Sequence, residues 1–385
     1  MCSRPTTAPD FLLSRADGSV RTQGAKITFS DPHQAISLLS SGNVEMIVGA
    51  LPFHPGAPAA LTVPEKIIRE DHALEPHPYY RIGPGAQLKA HLVGVDPSPQ
   101  EHRKRVAHAV DAIQRRQFDK VVLARAVDIA FDPAVDPRLV AARLIELSAQ
   151  RDAFIADLSP AGEEFHGKML VGSSPEVLVR RRGQVVTAFP LAGSAPRQTD
   201  AQCDAKIAQR LQASAKDQSE HAYVVEHLRR VLTPLCSSLS IPDQPELMKT
   251  NEVWHLATPI RGELREPAPS ALELAMLTHP TPAICGTPAT AAERFISDLE
   301  SPRGFYAGAV GWCDSHGDGQ YMVAIRCAEV SADGYQARAW AGGGMVADSD
   351  PETEFAETTA KLRTIMRALG LRDDVPQTTT PELLD

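Results

Sequence analysis

The chain has 385 residues, of which 43% are hydrophobic and 23% charged, a mixture typical of globular proteins. Its 31 prolines are spread along the sequence, which excludes a disordered or collagen-like chain, and the length is sufficient for a large core. The 39 Lys and Arg against 48 Asp and Glu give a net charge of −9, which argues against a nucleic-acid-binding or anionic-lipid-binding surface. An anionic ligand would therefore need positive charge concentrated in one place.

The sequence predicts a cytoplasmic protein with reduced thiols. No stretch approaches the ~18 apolar residues of a membrane span, and the first residues lead into no apolar signal region. Neither a disulfide framework nor a zinc cluster is expected, because the six cysteines are scattered and form no C-x-x-C motif. They are Cys2, Cys203, Cys236, Cys285, Cys313 and Cys327.

The predicted elements begin with short apolar runs and proline-rich joints in the first ~95 residues. A polar stretch at 96–99 precedes a helical pattern to about Gln114, with Val106, Val110 and Ile113 on one side. Strands are expected next at 120–131 and 167–171, followed by a hairpin of 177–181 with 184–189.

The second half of the chain is predicted to hold one long helix, a second hairpin and a final helix. The expected ranges are 200–235 for the long helix, 305–313 with 320–330 for the hairpin, 337–340 for a strand and 351–369 for the final helix. Antiparallel hairpins with separate helices, instead of regular βαβ alternation, are typical of an α+β fold.

Carboxylates border the apolar faces of both long helices. Glu354, Glu357 and Lys361 share one stripe of the final helix, a spacing equally typical of an i,i+4 surface salt bridge. Glu220 aligns with Val224 on the earlier helix, where a half-exposed edge residue is the ordinary interpretation. Together, three carboxylates on two helices could bind Mg²⁺, which prefers oxygen ligands and would attract an anionic substrate to an acidic protein.

Two cations lie in predicted strands. Lys120 alternates onto one face with small apolar residues, and it is equally well explained as a strand-end lysine in solvent. Arg326 alternates with Ala324 and Ala328, which leave room beside its guanidinium for a carboxylate ligand. The alternative is an arginine paired with a structural acid.

Two glycine-containing segments, 191–195 and 341–344, are predicted to be loops whose backbone N–H groups could approach an anion. Neither has the spacing of a phosphate-binding or dinucleotide-binding loop. His255 and His279 lack metal-ligand spacing and are interpreted as hydrogen-bonded structural histidines.

Taken in order, the motifs resemble those of the chorismate-utilising enzymes, most closely the isochorismate synthases of siderophore or menaquinone pathways. The motifs are KVVLAR (120–125), SSPE (173–176), PLAGSAPR (190–197), EH (220–221), WHLATP (254–259), HPTPA (279–283), GFYAGAVGWCD (304–314), IRCAE (325–329), AGGGMV (341–346) and the segment 354–361. The resemblance covers a catalytic region at 96–372, with a weaker N-terminal part at 1–95 and a polar tail at 373–385.

The resemblance implies an α+β fold with a large antiparallel β-sandwich flanked by helices, a monomer, and a magnesium-dependent site that binds chorismate. It implies that Lys120 activates water and that Glu176 is the acid. Glu220, Glu354 and Glu357 are implied for the metal. The implied substrate contacts are Gly193, Ser194, Ala283, Arg326, Gly342 and Lys361.

The expected reaction is reversible conversion of chorismate to isochorismate, with water added at C2 and the C4 hydroxyl lost. Relatives that use ammonia typically lack a lysine at the position of Lys120, so water is the expected nucleophile. Two alternatives remain: a salicylate synthase, which also eliminates pyruvate, and a catalytically inactive chorismate-binding module.

Overall fold

The computed structural model describes residues 5–6, 8–83 and 86–371. The predicted polar tail at 373–385 lies outside these ranges, as does Cys2. Within them, no helix is long and apolar enough to cross a membrane.

Helices and strands follow one another without a regular βαβ repeat. The strands are β1 (Phe11–Arg15), β2 (Gly18–Phe29), β3 (Met46–Leu51), β4 (Ala60–Glu70), β5 (Ala90–Asp96), β6 (Lys120–Phe131), β7 (Ala153–Asp157), β8 (Met169–Gly172), β9 (Val177–Arg182), β10 (Val185–Phe189), β11 (Leu191–Pro196), β12 (Cys236–Ser240), β13 (Glu246–Lys249), β14 (Val253–Ala257), β15 (Ile260–Leu264), β16 (Gly286–Thr287), β17 (Ala309–Asp314), β18 (Gly319–Val323), β19 (Cys327–Val330) and β20 (Gln336–Met345). The α-helices are α1 (Pro32–Ser40), α2 (Pro78–Arg81), α3 (Pro99–Gln114), α4 (Pro137–Leu147), α5 (Ala201–Ala213), α6 (Ala215–Leu232), α7 (Ala271–Thr278), α8 (Ala289–Leu299) and α9 (Pro351–Ala368).

Most strands belong to one continuous antiparallel sheet. Its hydrogen-bonded neighbours follow the path β12–β15–β10–β9–β18–β17–β3–β4–β2–β1–β7–β8–β19–β20–β6, and β6 also pairs with β5 and β16. A separate sheet of β11, β14 and β13 lies beside it. These antiparallel pairings and the segregated helices confirm the predicted α+β class.

The large sheet curls so that its two halves face each other. Ile47 of β3 and Val310 of β17 share one buried cluster with Phe154 of β7 and Leu123 of β6. Burial of both inner faces in one core is the arrangement of a β-sandwich. On the outer face of β6, Ile129 packs in a second cluster with residues of α4 and α9, so helices cover the sandwich.

The predicted long helix at 200–235 is wrong as one element. Ser214 has an extended backbone, and it ends α5 by donating its N–H to Leu211 O. Its hydroxyl then accepts the N–H of Asp217 and caps the start of α6. The apolar spacing continues across this position, so periodicity alone predicts one helix. The capping serine is the residue that divides it into two.

The two predicted glycine loops are wrong as well, because 191–195 lies in β11 and 341–344 lies in β20. The predicted strand 320–330 is interrupted, since β18 ends at Val323 and β19 begins at Cys327. Between them Arg326 has a φ of 52°, a left-handed conformation that is uncommon outside glycine. Arg326 therefore does not alternate with Ala324 and Ala328 along one strand.

Candidate active site

A pocket lies where the small sheet, α6 and α9 approach the large sheet. Its walls come from β6, β11, β14 and β20, from the segment before β16 and from the break that contains Arg326. Most predicted site residues line it: Glu176, Gly193, Ser194, Glu220, Ala283, Arg326, Gly342 and Lys361.

Lys120 is the first residue of β6, and its side chain is fully buried beside the pocket wall. Its Nζ lies 3.2 Å from Glu220 Oε1. Burial lowers the pKa of Lys120, although the Glu220 carboxylate opposes this shift. The alternative of a lysine in solvent is therefore wrong, and burial makes the amine easier to deprotonate than it is in water.

Glu176 follows the short segment between β8 and β9 and is 3% exposed. Its Oε1 accepts the N–H of Leu191 at 3.4 Å, and its backbone N–H donates to Ser174 Oγ. Burial raises the pKa of Glu176 to about 7. A carboxyl group with this pKa retains a proton at neutral pH in a substantial fraction of molecules.

Arg326 points its guanidinium at the same pocket and contacts His255 of β14. Its Nη2 lies 3.2 Å from His255 Nε2, and His255 Nδ1 lies 3.0 Å from Ser194 Oγ. All three residues line the pocket. Burial, with the adjacent charges of Arg326 and Lys361, lowers the pKa of His255 well below its ordinary value.

The three predicted metal carboxylates lie in one acidic cluster whose members each have a lysine partner. Glu357 Oε1 lies 2.6 Å from Lys361 Nζ, which also donates to Gly342 O at 3.0 Å. Glu354 Oε1 accepts from Lys216 Nζ at 2.7 Å and from Ser349 Oγ at 2.8 Å. The i,i+4 pair of Glu357 and Lys361 is thus real, but it is largely buried instead of lying on the surface.

Charge repulsion within this cluster is visible in its acid–base properties. Burial and the neighbouring Glu357 raise the pKa of Glu354. Burial also disfavours charge on Glu220, but Lys120, Lys216 and Lys361 outweigh it and hold the pKa of Glu220 below its ordinary value. Repulsion between the carboxylates therefore opposes ionisation of Glu354, although a lysine lies beside each member of the cluster.

The donor type of this cluster suits Mg²⁺. Glu354 Oε2 is buried and has no hydrogen-bond partner among the described residues. Across that part of the chain, no three acidic, histidine or cysteine side chains already converge as a ready-made metal site. Mg²⁺ is usually held by one or two carboxylates with waters and substrate oxygens, so the residues fit the ion in charge and ligand type. Magnesium binding nevertheless stays a prediction.

Close backbone approach explains one glycine of the motif at 341–344. A Cβ on Gly344 would lie 2.2 Å from Glu220 Oε1, closer than any side chain tolerates. Gly344 therefore leaves room for the Glu220 carboxylate beside β20, and the motif at 341–344 is a strand instead of a loop.

The remaining predicted contacts are less direct. The N–H of Ala283 already donates to Thr281 Oγ1 at 3.3 Å, and Lys120, Glu354 and Glu357 lie behind the lining residues. His279 Nε2 donates to the carbonyl oxygens of Pro52 and Phe53, which matches its interpretation as a structural histidine. Three residues at the site were not predicted as part of it: His255, which was interpreted as structural, Tyr306 and Lys216. His255 and Tyr306 lie in quoted motifs, but those motifs indicated the family and not the geometry.

Comparison with known proteins places the chain in a family. The family model described as chorismate binding enzyme matches residues 67–370. The chain belongs to this family. The family that the ordered motifs indicated is thereby confirmed, whereas the roles of individual residues remain predictions.

Its relatives include several isochorismate synthases. A Mycobacterium tuberculosis protein with the provisional name isochorismate synthase MenF is 44% identical over 367 residues, which are 94% of this chain and 96% of that protein. Isochorismate synthase DhbC of Bacillus subtilis is 39% identical, over 85% of this chain and 81% of the relative.

A solved structure agrees with these relatives. The Bacillus anthracis protein provisionally named 2,3-dihydroxybenzoate-specific isochorismate synthase, DhbC, has a TM-score of 0.87 and 34% identity. The match covers 96% of this chain and 98% of that one. The described fold is therefore that of the family throughout, including the N-terminal strands.

Proposed function

We propose that this protein is an isochorismate synthase, an isomerase that interconverts chorismate and isochorismate. The observation that carries the proposal is the burial of Glu176 in the pocket wall and of Lys120 behind that wall, with their pKa values shifted in opposite directions. A base that is neutral and an acid that is protonated are what addition of water and departure of a hydroxyl require. The names of the relatives support the same reaction.

In the proposed reaction, Lys120 accepts a proton from the water that attacks C2 of the ring. The ring double bonds shift, the C4 hydroxyl leaves, and Glu176 donates the proton that makes it water. The oxygen added and the oxygen lost balance, so no oxidant or reductant is needed. After each forward turnover Lys120 has gained a proton and Glu176 has lost one, and proton exchange with solvent restores the starting state of both groups.

Substrate recognition in this proposal depends on local positive charge. Arg326 and Lys361 line the pocket and can pair with the carboxylates of chorismate. Arg326 is suited to a planar, bidentate carboxylate contact because its fork of N–H donors is rigid. The pocket thus supplies the local cations that the net charge of −9 made necessary.

Glu220, Glu354 and Glu357 would hold Mg²⁺ in this proposal. When bound, the ion supplies electrostatic stabilisation to negative charge on a substrate carboxylate. Glu354 Oε2, which is buried without a hydrogen-bond partner in the part of the chain that the structure describes, supports this assignment.

The test is to follow chorismate, isochorismate and pyruvate by chromatography with purified protein and Mg²⁺. We expect isochorismate without pyruvate, and the same equilibrium mixture when isochorismate is the starting compound. Formation of salicylate with stoichiometric pyruvate would instead identify the protein as a salicylate synthase. Binding of chorismate without any conversion would replace it with a chorismate-binding module.

A further inference from the structure

His255 and Ser194 are brought face to face by an irregularity in β11. Ala192 pairs with Leu256, but Ser194 pairs with His255, so Gly193 is left over as a bulge. Gly193 has a φ of 77°, a conformation that glycine adopts without strain. Residues directly opposite on antiparallel strands place their side chains on one side of the sheet, which here is the pocket side.

The protonation state of His255 follows from its two partners. A guanidinium donates hydrogen bonds and accepts none, so His255 Nε2 must accept from Arg326 and cannot carry a proton. A neutral imidazole then carries its proton on Nδ1, which donates to Ser194 Oγ.

We infer that His255 is a positioning residue that acts in its Nδ1–H form, fixing the guanidinium of Arg326 and turning the Ser194 hydroxyl proton toward the substrate. Ser194 Oγ is occupied as an acceptor, and its own O–H has no acceptor among the described residues. The pocket is therefore the direction in which this donor is available. The identity of the acceptor, an oxygen of chorismate, rests on the proposed function.

The surroundings of His255 favour its neutral form. The residue is 4% exposed, and the charged groups that face it are the cations Arg326 and Lys361. Protonating the ring would place a third positive charge beside them and would break the hydrogen bond from Arg326. Neutral His255 is thus compatible with the charges of Arg326 and Lys361, whereas its imidazolium form would be repelled by both.

Two other buried histidines provide internal standards with opposite expectations. His221 Nδ1 faces the carbonyl oxygen of Ala192 at 3.1 Å, so its Nδ1 is protonated. His279 Nε2 faces the carbonyls of Pro52 and Phe53 at 3.0 and 2.9 Å, so its Nε2 is protonated. His255 should therefore behave like His221 and unlike His279.

The direct test is nitrogen NMR of the full-length protein labelled with ¹⁵N-histidine, without any ligand. Signals of His255 are assigned by their absence in His255→Phe, or in His255→Gln if the first variant does not fold. We expect a protonated Nδ1 and an unprotonated Nε2 at neutral pH. A protonated Nε2, in either the neutral or the charged ring, would overturn the inference whether or not the protein converts chorismate.

A double-mutant cycle tests the functional consequence with chorismate as the probe. Ser194→Ala and His255→Phe should each lower kcat/KM by at least about tenfold, the cost of losing a hydrogen bond to a charged group. The double variant should be no worse than the weaker single variant, because both remove the same donor. If the double variant lost kcat/KM by the product of the two single-variant losses, the inference would be wrong. The control is Ser37→Ala, at an exposed position of α1, which should leave kcat/KM unchanged.

Discussion

Two buried ion pairs near the pocket differ in how completely their polar atoms are satisfied. Arg303 donates to Glu300 from Nε and Nη2 at 2.8 and 2.9 Å, and its remaining donors reach the carbonyls of Ile284 and Val122. Glu300 also accepts the N–H of Ala124 at 2.7 Å. Lys120 and Glu220, by contrast, share one contact of 3.2 Å, and Lys120 Nζ makes no hydrogen bond of good geometry within the described residues.

The difference separates a structural pair from a group available for chemistry. A buried charge with every donor and acceptor occupied is held in one position and one protonation state. A buried amine with unused capacity has a shifted pKa and can exchange a proton with a ligand. The fully bonded pair also holds β6 and the segment before β16, so it supports the walls within which Lys120 acts.

The largest expected effect comes from Lys120→Ala. Removing the proposed base should reduce kcat by about 10²–10⁴-fold while chorismate binding stays measurable by calorimetry. Lys168→Ala, which removes an ion pair with Glu329, should retain wild-type turnover. Wild-type turnover in Lys120→Ala would show that Lys120 is not the base. The proposed functional difference between the two ion pairs would then be wrong.

Mutating the fully bonded pair of Arg303 and Glu300 should change the stability of the protein. Glu300→Ala leaves Arg303 buried with its charge unbalanced, and we expect a loss of about 3–5 kcal/mol in the free energy of unfolding. Chemical denaturation measures this loss. The matched control is Glu352→Ala, which breaks a similar two-bond contact to Arg103 on the exposed surface and should change stability little. Equal effects in both variants would contradict the structural interpretation.

The acidic cluster should respond to magnesium concentration. Glu220→Gln should raise the Mg²⁺ concentration needed for half-maximal activity by at least the roughly 10–100-fold that loss of an outer-shell partner costs. Glu226→Gln lies on the same helix with its side chain exposed and should titrate like the wild type. An unchanged titration in Glu220→Gln would refute this residue as a ligand.

The smallest effect is the pH dependence of the proposed acid. Because Glu176 must be protonated to donate, and burial raises its pKa to about 7, kcat/KM should fall on the alkaline side, by roughly tenfold per pH unit once Lys120 has lost its own proton. The depressed pKa of Lys120 acts in the opposite sense, since activity rises as its ammonium loses a proton. In Glu176→Gln the alkaline decline should disappear; its persistence would assign that decline to another group.

Local sequence signals predicted elements wherever capping and periodicity agreed. The helix after Ser98 was predicted close to its observed bounds, because Ser98 accepts the N–H of Glu101 and Pro99 fits the first turn. The strand Lys120–Phe131 and the hairpin of β9 and β10 were also predicted correctly, within one residue for the hairpin. In these segments neighbouring residues alone favour one conformation.

Long-range contacts decided the elements that were predicted wrongly. The glycines at 341–344 remain in a strand because β20 pairs with β6 along its whole length, which outweighs their weak strand preference. Arg326 leaves its strand because β19 pairs with β8 from Cys327 onward, and the left-handed turn before it directs the guanidinium to the pocket. Neither pairing is visible in the local pattern.

The sequence by itself determined the fold class and the family, and most of the site residues predicted from it line the pocket. The reason is that the chain order alone defines which chemical groups are present and how they are spaced. Only the tertiary structure decided which of those groups are buried, which are paired and which proton each holds. Those properties depend on desolvation and on partners far away in sequence, as Lys120 with Glu220 and His255 with Arg326 illustrate. A motif can name His255, but only its neighbours determine the nitrogen that carries the proton.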